Sequence, residues 1–130
     1  MDFSQLTESA LAAREKAYAP YSKFAVGAAL RTKSGRIFRG CNVENLSFGL
    51  TICAERNAVF AAVAEGEREF DAIAIVADSI QPVTPCGACR QVLAEFSPSL
   101  PVRCSNLQGV HFDSSIAELL PRAKEGILGT

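Results

Sequence analysis

Apolar residues at near-helical spacing alternate with short apolar runs along this chain, and the changes of period mark its elements. Leu6, Ala10, Leu11, Ala13, Ala17 and Tyr18 predict a helix from Ser4 to Ala19, which Pro20 ends. Phe24 to Leu30 is small and apolar, and Ile37 to Cys41 follows Lys33-Ser34-Gly35. Two short strands about a glycine-containing turn predict a β-hairpin. Thr51 to Ala64 is alanine-rich and stops before Gly66, as a helix with a glycine C-cap does. Ala72 to Ala77 is a continuous apolar run, the pattern of a strand covered on both faces. A further helix opens at Pro85 and runs to about Phe96, and Pro101 to Cys104 predicts a short strand. Ser115 to Leu120 predicts a last helix, with Ser115 and Glu118 spaced as a capping box. The tail from Lys124 to Thr130 is expected to fray.

After the first helix the order β-β-α-β-α-β-α predicts an α/β fold, a three-layer α/β/α sandwich around a mixed sheet. There is no internal repeat, low-complexity tract or linker, so residues 1–130 are expected to form a single domain. A hydrophobic content of 48% with 21% charged residues is ordinary for a globular chain. The formal net charge of −1 and the lack of a basic patch argue against a nucleic-acid partner and favour a small, roughly neutral substrate. No apolar run approaches the ~20 residues that span a bilayer, so no membrane partner is expected. Met1-Asp2-Phe3-Ser4-Gln5 carries no basic region ahead of an apolar stretch, which makes the cytoplasm the expected location. In a reducing compartment an odd set of five cysteines that includes C-x-x-C points to metal binding or catalysis rather than disulfides.

Those cysteines carry the chemistry. Cys53-Ala54-Glu55 and Pro85-Cys86-Gly87-Ala88-Cys89 supply three thiolates and leave a tetrahedral Zn²⁺ one ligand short, the arrangement of a catalytic site that keeps a position for water. Both motifs fall at predicted helix N-termini, where free N–H groups and the helix dipole favour thiolates. Glu55, two residues from Cys53, is placed to move protons to and from that water. Three thiolates around Zn²⁺ sum to −1, which opposes lowering the water's pKa, so a compensating charge is needed. Arg56 and Arg90 are the nearest cations, and one or both are expected to donate hydrogen bonds to the thiolates.

Two plainer readings compete. A closed structural zinc site needs a fourth ligand from Cys41, Cys104 or His111, and none of these lies in a second paired motif. A thioredoxin-like redox C-x-x-C leaves Cys53 and Glu55 unexplained. Cys41 and Cys104, in apolar strand context, read as buried small hydrophobes. His111, between Val110 and Phe112, reads as an exposed strand-face residue.

At these residues the chain resembles the cytidine deaminase family. The likeness runs through Tyr18-Ala19-Pro20-Tyr21-Ser22-Lys23-Phe24, Val26-Gly27-Ala28-Ala29-Leu30, Gly40-Cys41-Asn42-Val43-Glu44-Asn45, Cys53-Ala54-Glu55-Arg56 and Pro85-Cys86-Gly87-Ala88-Cys89-Arg90-Gln91. The C-x-E form resembles the small homotetrameric, zinc-dependent class acting on free nucleosides, whereas polynucleotide deaminases use histidine as the first ligand. The resemblance implies a mixed sheet of about five strands and one Zn²⁺ per chain on Cys53, Cys86 and Cys89. It implies hydrolytic deamination of cytidine and 2′-deoxycytidine in pyrimidine salvage, with Glu55 as proton carrier. It also implies that Asn42 and Glu44 bind the ribose 3′-hydroxyl, that Phe24 packs on the base, and that the Ala54 N–H meets the base carbonyl. A homotetramer with pockets near subunit interfaces follows from the same likeness.

Two positions depart from the family pattern. Phe48 stands where tyrosine is usual, and Lys124 where a phenylalanine commonly follows Leu-Leu-Pro-x-Ala. The first removes a phenolic hydroxyl and any hydrogen bond it makes; the second predicts a pocket more open on that side, tolerating bulkier groups on the exocyclic nitrogen or base. A deaminase for a cytosine-containing antibiotic such as blasticidin S is the alternative enzyme, and the Asn42-Val43-Glu44-Asn45 ribose motif argues for the ordinary nucleoside. A zinc-stabilised binding module is the non-enzymatic alternative, and Glu55 beside a three-ligand site argues against it.

Overall fold

A computed structural model describes residues 2–126. Helix α1 spans Ser4–Arg14, and strands β1 (Val26–Thr32) and β2 (Ile37–Cys41) follow as an antiparallel pair. A short 3₁₀ turn at Phe48–Leu50 precedes α2 (Ala54–Ala64) and β3 (Phe70–Ala77). Helix α3 (Gly87–Phe96), strands β4 (Pro101–Ser105) and β5 (His111–Ser115), and helix α4 (Ile116–Leu119) complete the chain. The strands form one five-stranded sheet in the order β2-β1-β3-β4-β5, with β3 and β4 parallel and the other neighbours antiparallel. The expected mixed sheet between helical layers is therefore the observed one.

Alternation along the strands divides the core. Ala29 of β1 with Ala72, Ala74 and Val76 of β3 faces α1 and meets Leu6 and Ala10. Ala28, Leu30, Ile73, Ile75, Val102 and Cys104 point the other way, onto α2, α3 and Ile116. Because β3 is covered on both sides, its sequence is an unbroken apolar run. Two glycines set how closely the helices approach. A Cβ on Gly27 would overlap the backbone of Ala10 and Arg14 in α1, and one on Gly40 would overlap Ala54 and Ala58 in α2. Gly66, at φ 86°, closes α2: its N–H donates to Val63 O at 3.0 Å and that of Glu67 to Ala62 O at 3.0 Å.

Several predicted boundaries move. Helix α1 ends at Arg14, not Ala19, because the chain leaves it to pair with the loop after β2: Tyr18 N donates to Asn42 O at 2.9 Å and Glu44 N to Tyr18 O at 2.8 Å. Strand β1 starts at Val26, and Phe24 lies in the irregular stretch that enters it. Helix α2 starts at Ala54 rather than Thr51, because Ile52 is extended and exchanges backbone hydrogen bonds with Val43 at 3.0 Å. Helix α3 starts at Gly87, with Cys86 as its N-cap. Strand β5 has no apolar alternation; it is an exposed edge recruited by β4, and Asp113 accepts from Arg103 at 2.7 and 2.8 Å. Ser115 caps α4 as expected, its Oγ accepting from Glu118 N at 3.3 Å. Cys104 is buried and His111 exposed as expected, but Cys41, at the end of β2, is only half-buried. Of the tail expected to fray, residues 124–126 lie in turns and 127–130 lie outside the described residues.

Candidate active site

The first turns of α2 and α3 meet beside the end of β3, and each helix has a cysteine as its N-cap: Cys53 for α2 and Cys86 for α3. Cys89, one turn into α3 and fully buried, completes the cluster. The Sγ atoms of Cys53 and Cys86 are 3.8 Å apart and those of Cys86 and Cys89 3.4 Å, with all three within 4.8 Å of one another. Four thiolates at ~2.3 Å from a tetrahedral zinc would stand ~3.8 Å apart, close to the spacing these three already have.

The electrostatics of the cluster favour a cation. Cys53 falls to about 5, chiefly because the Cys89 thiol donates to it, with help from Arg56 and Cys86. The same hydrogen bond, with burial, pushes the Cys89 thiol up. A metal ion binding these sulfurs would displace their thiol protons. Arg56 Nη2 donates to Cys53 Sγ at 3.5 Å, as expected. Its Nε is buried without a partner among the described residues. Arg90 does not donate to a thiolate: its guanidinium turns the other way, to Pro85 O, Thr84 Oγ1 and Leu119 O. The buried Cys104 thiol, pushed up to about 12 by burial, stays in the core and takes no part in the cluster.

Glu55 follows in the first turn of α2, 5% exposed. Burial pushes its carboxyl up to about 7, where it can both take and give a proton near neutrality. It looks into a cleft of about 240 Å³ lined also by Phe24, Asn42, Glu44, Cys53, Ala54 and Cys86. The N–H of Ala54, at the first position of α2, has no acceptor within its own helix. A shallower cavity of about 360 Å³ continues outward past Tyr21, Glu44 and Phe48.

The structure brings Phe24, Asn42 and Glu44 to this cleft but shows them already employed. Asn42 Oδ1 accepts from Val26 N at 2.9 Å and its Nδ2 donates to Phe24 O at 2.8 Å, which fixes the entry to β1. Glu44 Oε1 accepts from the N–H groups of Tyr21 and Ser22 at 3.0 and 3.1 Å, and its Oε2 accepts from Ser22 Oγ. The Ser22 hydroxyl leads the interactions that hold the Glu44 carboxyl below its usual range. Sequence reasoning passed over Ser22, Thr51, Val83 and Thr84, which also line the cleft. Ser22 stood inside a quoted motif, whereas the others carry no spacing signal.

Three sulfurs fit for zinc, an adjoining buried carboxyl and a small cleft on an α/β/α sandwich define a metal-dependent hydrolase of small molecules. The family described as "Cytidine and deoxycytidylate deaminase zinc-binding region" matches residues 2–102. A cytidine deaminase of Halalkalibacterium halodurans is 55% identical over 124 residues, 95% of this chain and 94% of its own. The crystal structure of cytidine deaminase from Burkholderia pseudomallei is 56% identical and superposes with a TM-score of 0.90, covering 93% of this chain and 98% of its own. Blasticidin-S deaminase of Bacillus cereus is 35% identical over 108 residues, 77% of this chain and 76% of its own. The chain belongs to the cytidine and deoxycytidylate deaminase family.

Proposed function

We propose that this protein hydrolyses cytidine and 2′-deoxycytidine to uridine and 2′-deoxyuridine, releasing ammonia. The observation that carries the reading is the buried Glu55 carboxyl beside a three-sulfur cluster that opens on a nucleoside-sized cleft. Cys53, Cys86 and Cys89 hold one Zn²⁺, which when bound supplies the Lewis acidity that makes water nucleophilic near neutral pH. Glu55 takes a proton from that water as its oxygen attacks carbon 4 of the pyrimidine, and delivers the proton to ring nitrogen 3. It then carries the second proton to the exocyclic nitrogen, which leaves as ammonia; the carbonyl of the product forms and Glu55 returns to its ionised state. The Ala54 N–H donates to the base carbonyl, Phe24 packs on the ring, and Asn42 and Glu44 meet the ribose 3′-hydroxyl. Arg56 offsets the thiolate charge through Cys53.

The substrate enters as a free nucleoside in pyrimidine salvage, in the cytoplasm, where five unpaired cysteines stay reduced. No helix among the described residues is long and apolar enough to cross a membrane. A homotetramer is supported by Leu46, Phe48 and Leu50, which are 77%, 75% and 65% exposed and leave an apolar surface for another subunit, Phe48 also lining the outer cavity. Ammonia release from cytidine, measured together with zinc content, tests the reading. Wild type is expected to turn over, and Glu55→Ala to lose turnover while keeping about one zinc per chain. Zinc-loaded wild type inactive on both nucleosides would refute it.

A further inference from the structure

Among the described residues, the far end of the connection from β3 to α3 takes its hydrogen bonds from a single side chain. Residues 82–85 contain Pro82 and Pro85, which have no N–H to donate, and none of the four makes a described backbone–backbone hydrogen bond. Yet Val83 and Thr84 line the cleft, and Cys86, the residue after Pro85, offers a sulfur to the cluster. Arg90, one turn along α3, reaches back to this segment. Its Nε donates to Pro85 O at 2.7 Å and its Nη2 to Thr84 Oγ1 at 3.0 Å. Its Nη1 donates to Leu119 O at 2.8 Å, at the end of α4. One half-buried guanidinium therefore joins the cleft wall, the peptide before Cys86 and the last turn of α4. Gln91, its neighbour on α3, donates to Ala123 O at 3.3 Å and extends the hold on the segment after α4.

We propose that Arg90 is a positioning residue that fixes the Cys86 sulfur and the Val83–Thr84 wall by holding the Pro85 carbonyl and the Thr84 hydroxyl, and that ties both to α4. The proposal rests on reading Cys53, Cys86 and Cys89 as zinc ligands. A planar fork with donors in fixed directions can hold three acceptors in two segments, which a lysine ammonium on a flexible stem does not reproduce. Groups that orient a metal ligand in this indirect way typically contribute 10–100-fold to metal affinity or activity.

The test compares wild type, Arg90→Met, Arg90→Lys, Thr84→Val and the Arg90→Met/Thr84→Val pair. Zinc affinity is read by competition with a chromophoric chelator, and sulfur geometry by the thiolate-to-metal charge-transfer band of the Co²⁺-substituted protein. KM and kcat are measured separately, and so is the melting temperature of the metal-free protein. Arg90→Met is expected to weaken zinc binding about 10–100-fold, shift the Co²⁺ band and raise KM, with Arg90→Lys recovering little. Thr84→Val should do the same to a smaller degree, and should add less in the double variant than alone, because both act through one contact. If Arg90→Met does not fold, Thr84→Val decides by the same readouts. Wild-type zinc affinity and an unshifted Co²⁺ band, even with a lowered melting temperature, would overturn the proposal. A wild-type protein that shows no thiolate band with Co²⁺ overturns the ligand reading and this proposal with it.

Discussion

Replacing Glu55 with glutamine should make the metal-free protein more stable, and only above a definite pH. The carboxyl is 5% exposed, and burial raises it from an ordinary 4.5 to about 7. Ionising it in place rather than in the unfolded chain costs about 3 kcal/mol. Below 4.5 both states hold the proton and there is no penalty. Between 4.5 and 7 the unfolded chain releases the proton while the folded one keeps it, so stability falls as pH rises; above 7 the penalty is complete. Glutamine has nearly the same shape and does not ionise. Urea unfolding of chelator-treated, thiol-reduced wild type and Glu55→Gln, at one protein concentration, measures the difference. The expected gain is about 3 kcal/mol at pH 8 and less than about 1 kcal/mol at pH 5, with turnover of the zinc-loaded variant lost. A gain that is absent at pH 8, or equal at the two pH values, refutes the reasoning.

Arg56→Gln removes the donor to Cys53 Sγ and should weaken zinc retention about 10–100-fold in a chelator competition. Gly40→Ala drives a methyl into the backbone of Ala54 and Ala58; calorimetry should show a loss of about 1–3 kcal/mol, and zinc affinity should fall because α2 carries Cys53. Asp113 is held below its usual range mainly by hydrogen bonds from Arg103. Asp113→Asn should cost less than about 1 kcal/mol at pH 7, since the pair is partly exposed. The difference should shrink as acid protonates Asp113 in the wild type, and a cost that persists at pH 2 would contradict the pairing.

The elements legible in the sequence were those whose partners lie close in the chain or on both sides of it. Strand β3 announces its double burial by an unbroken apolar run, and α2 announces its end through Gly66. The three sulfurs and Glu55 were legible because ligand spacing at two helix starts is a local property. What stayed hidden depends on contacts distant in sequence. Tyr18 continues the helical spacing of α1 but is drawn away by Asn42, a partner outside any local window. Strand β5 shows no pattern, because it exists through its pairing with β4. Arg90 sits beside a ligand in sequence, which suggested a thiolate partner, yet the turn of α3 directs it to the loop behind the ligand. Asn42 and Glu44 read as ligand groups from their motif, while their present bonds hold the entry loop in place.

Cys53 and Cys86 lie 33 positions apart, and the stretch between them contains α2 and the central strand β3. An ion bound to both closes that stretch into a ring, as a disulfide between the same positions would. Closing a ring of this length restricts the unfolded chain by about 3–4 kcal/mol on the chain-entropy account. Detaching the middle of the sheet while the ion stays in place then gains less chain entropy. Amide exchange along β3 should therefore be governed by metal release: slow and uniform in the loaded protein, and much faster after chelation, while α1, outside the ring, responds least.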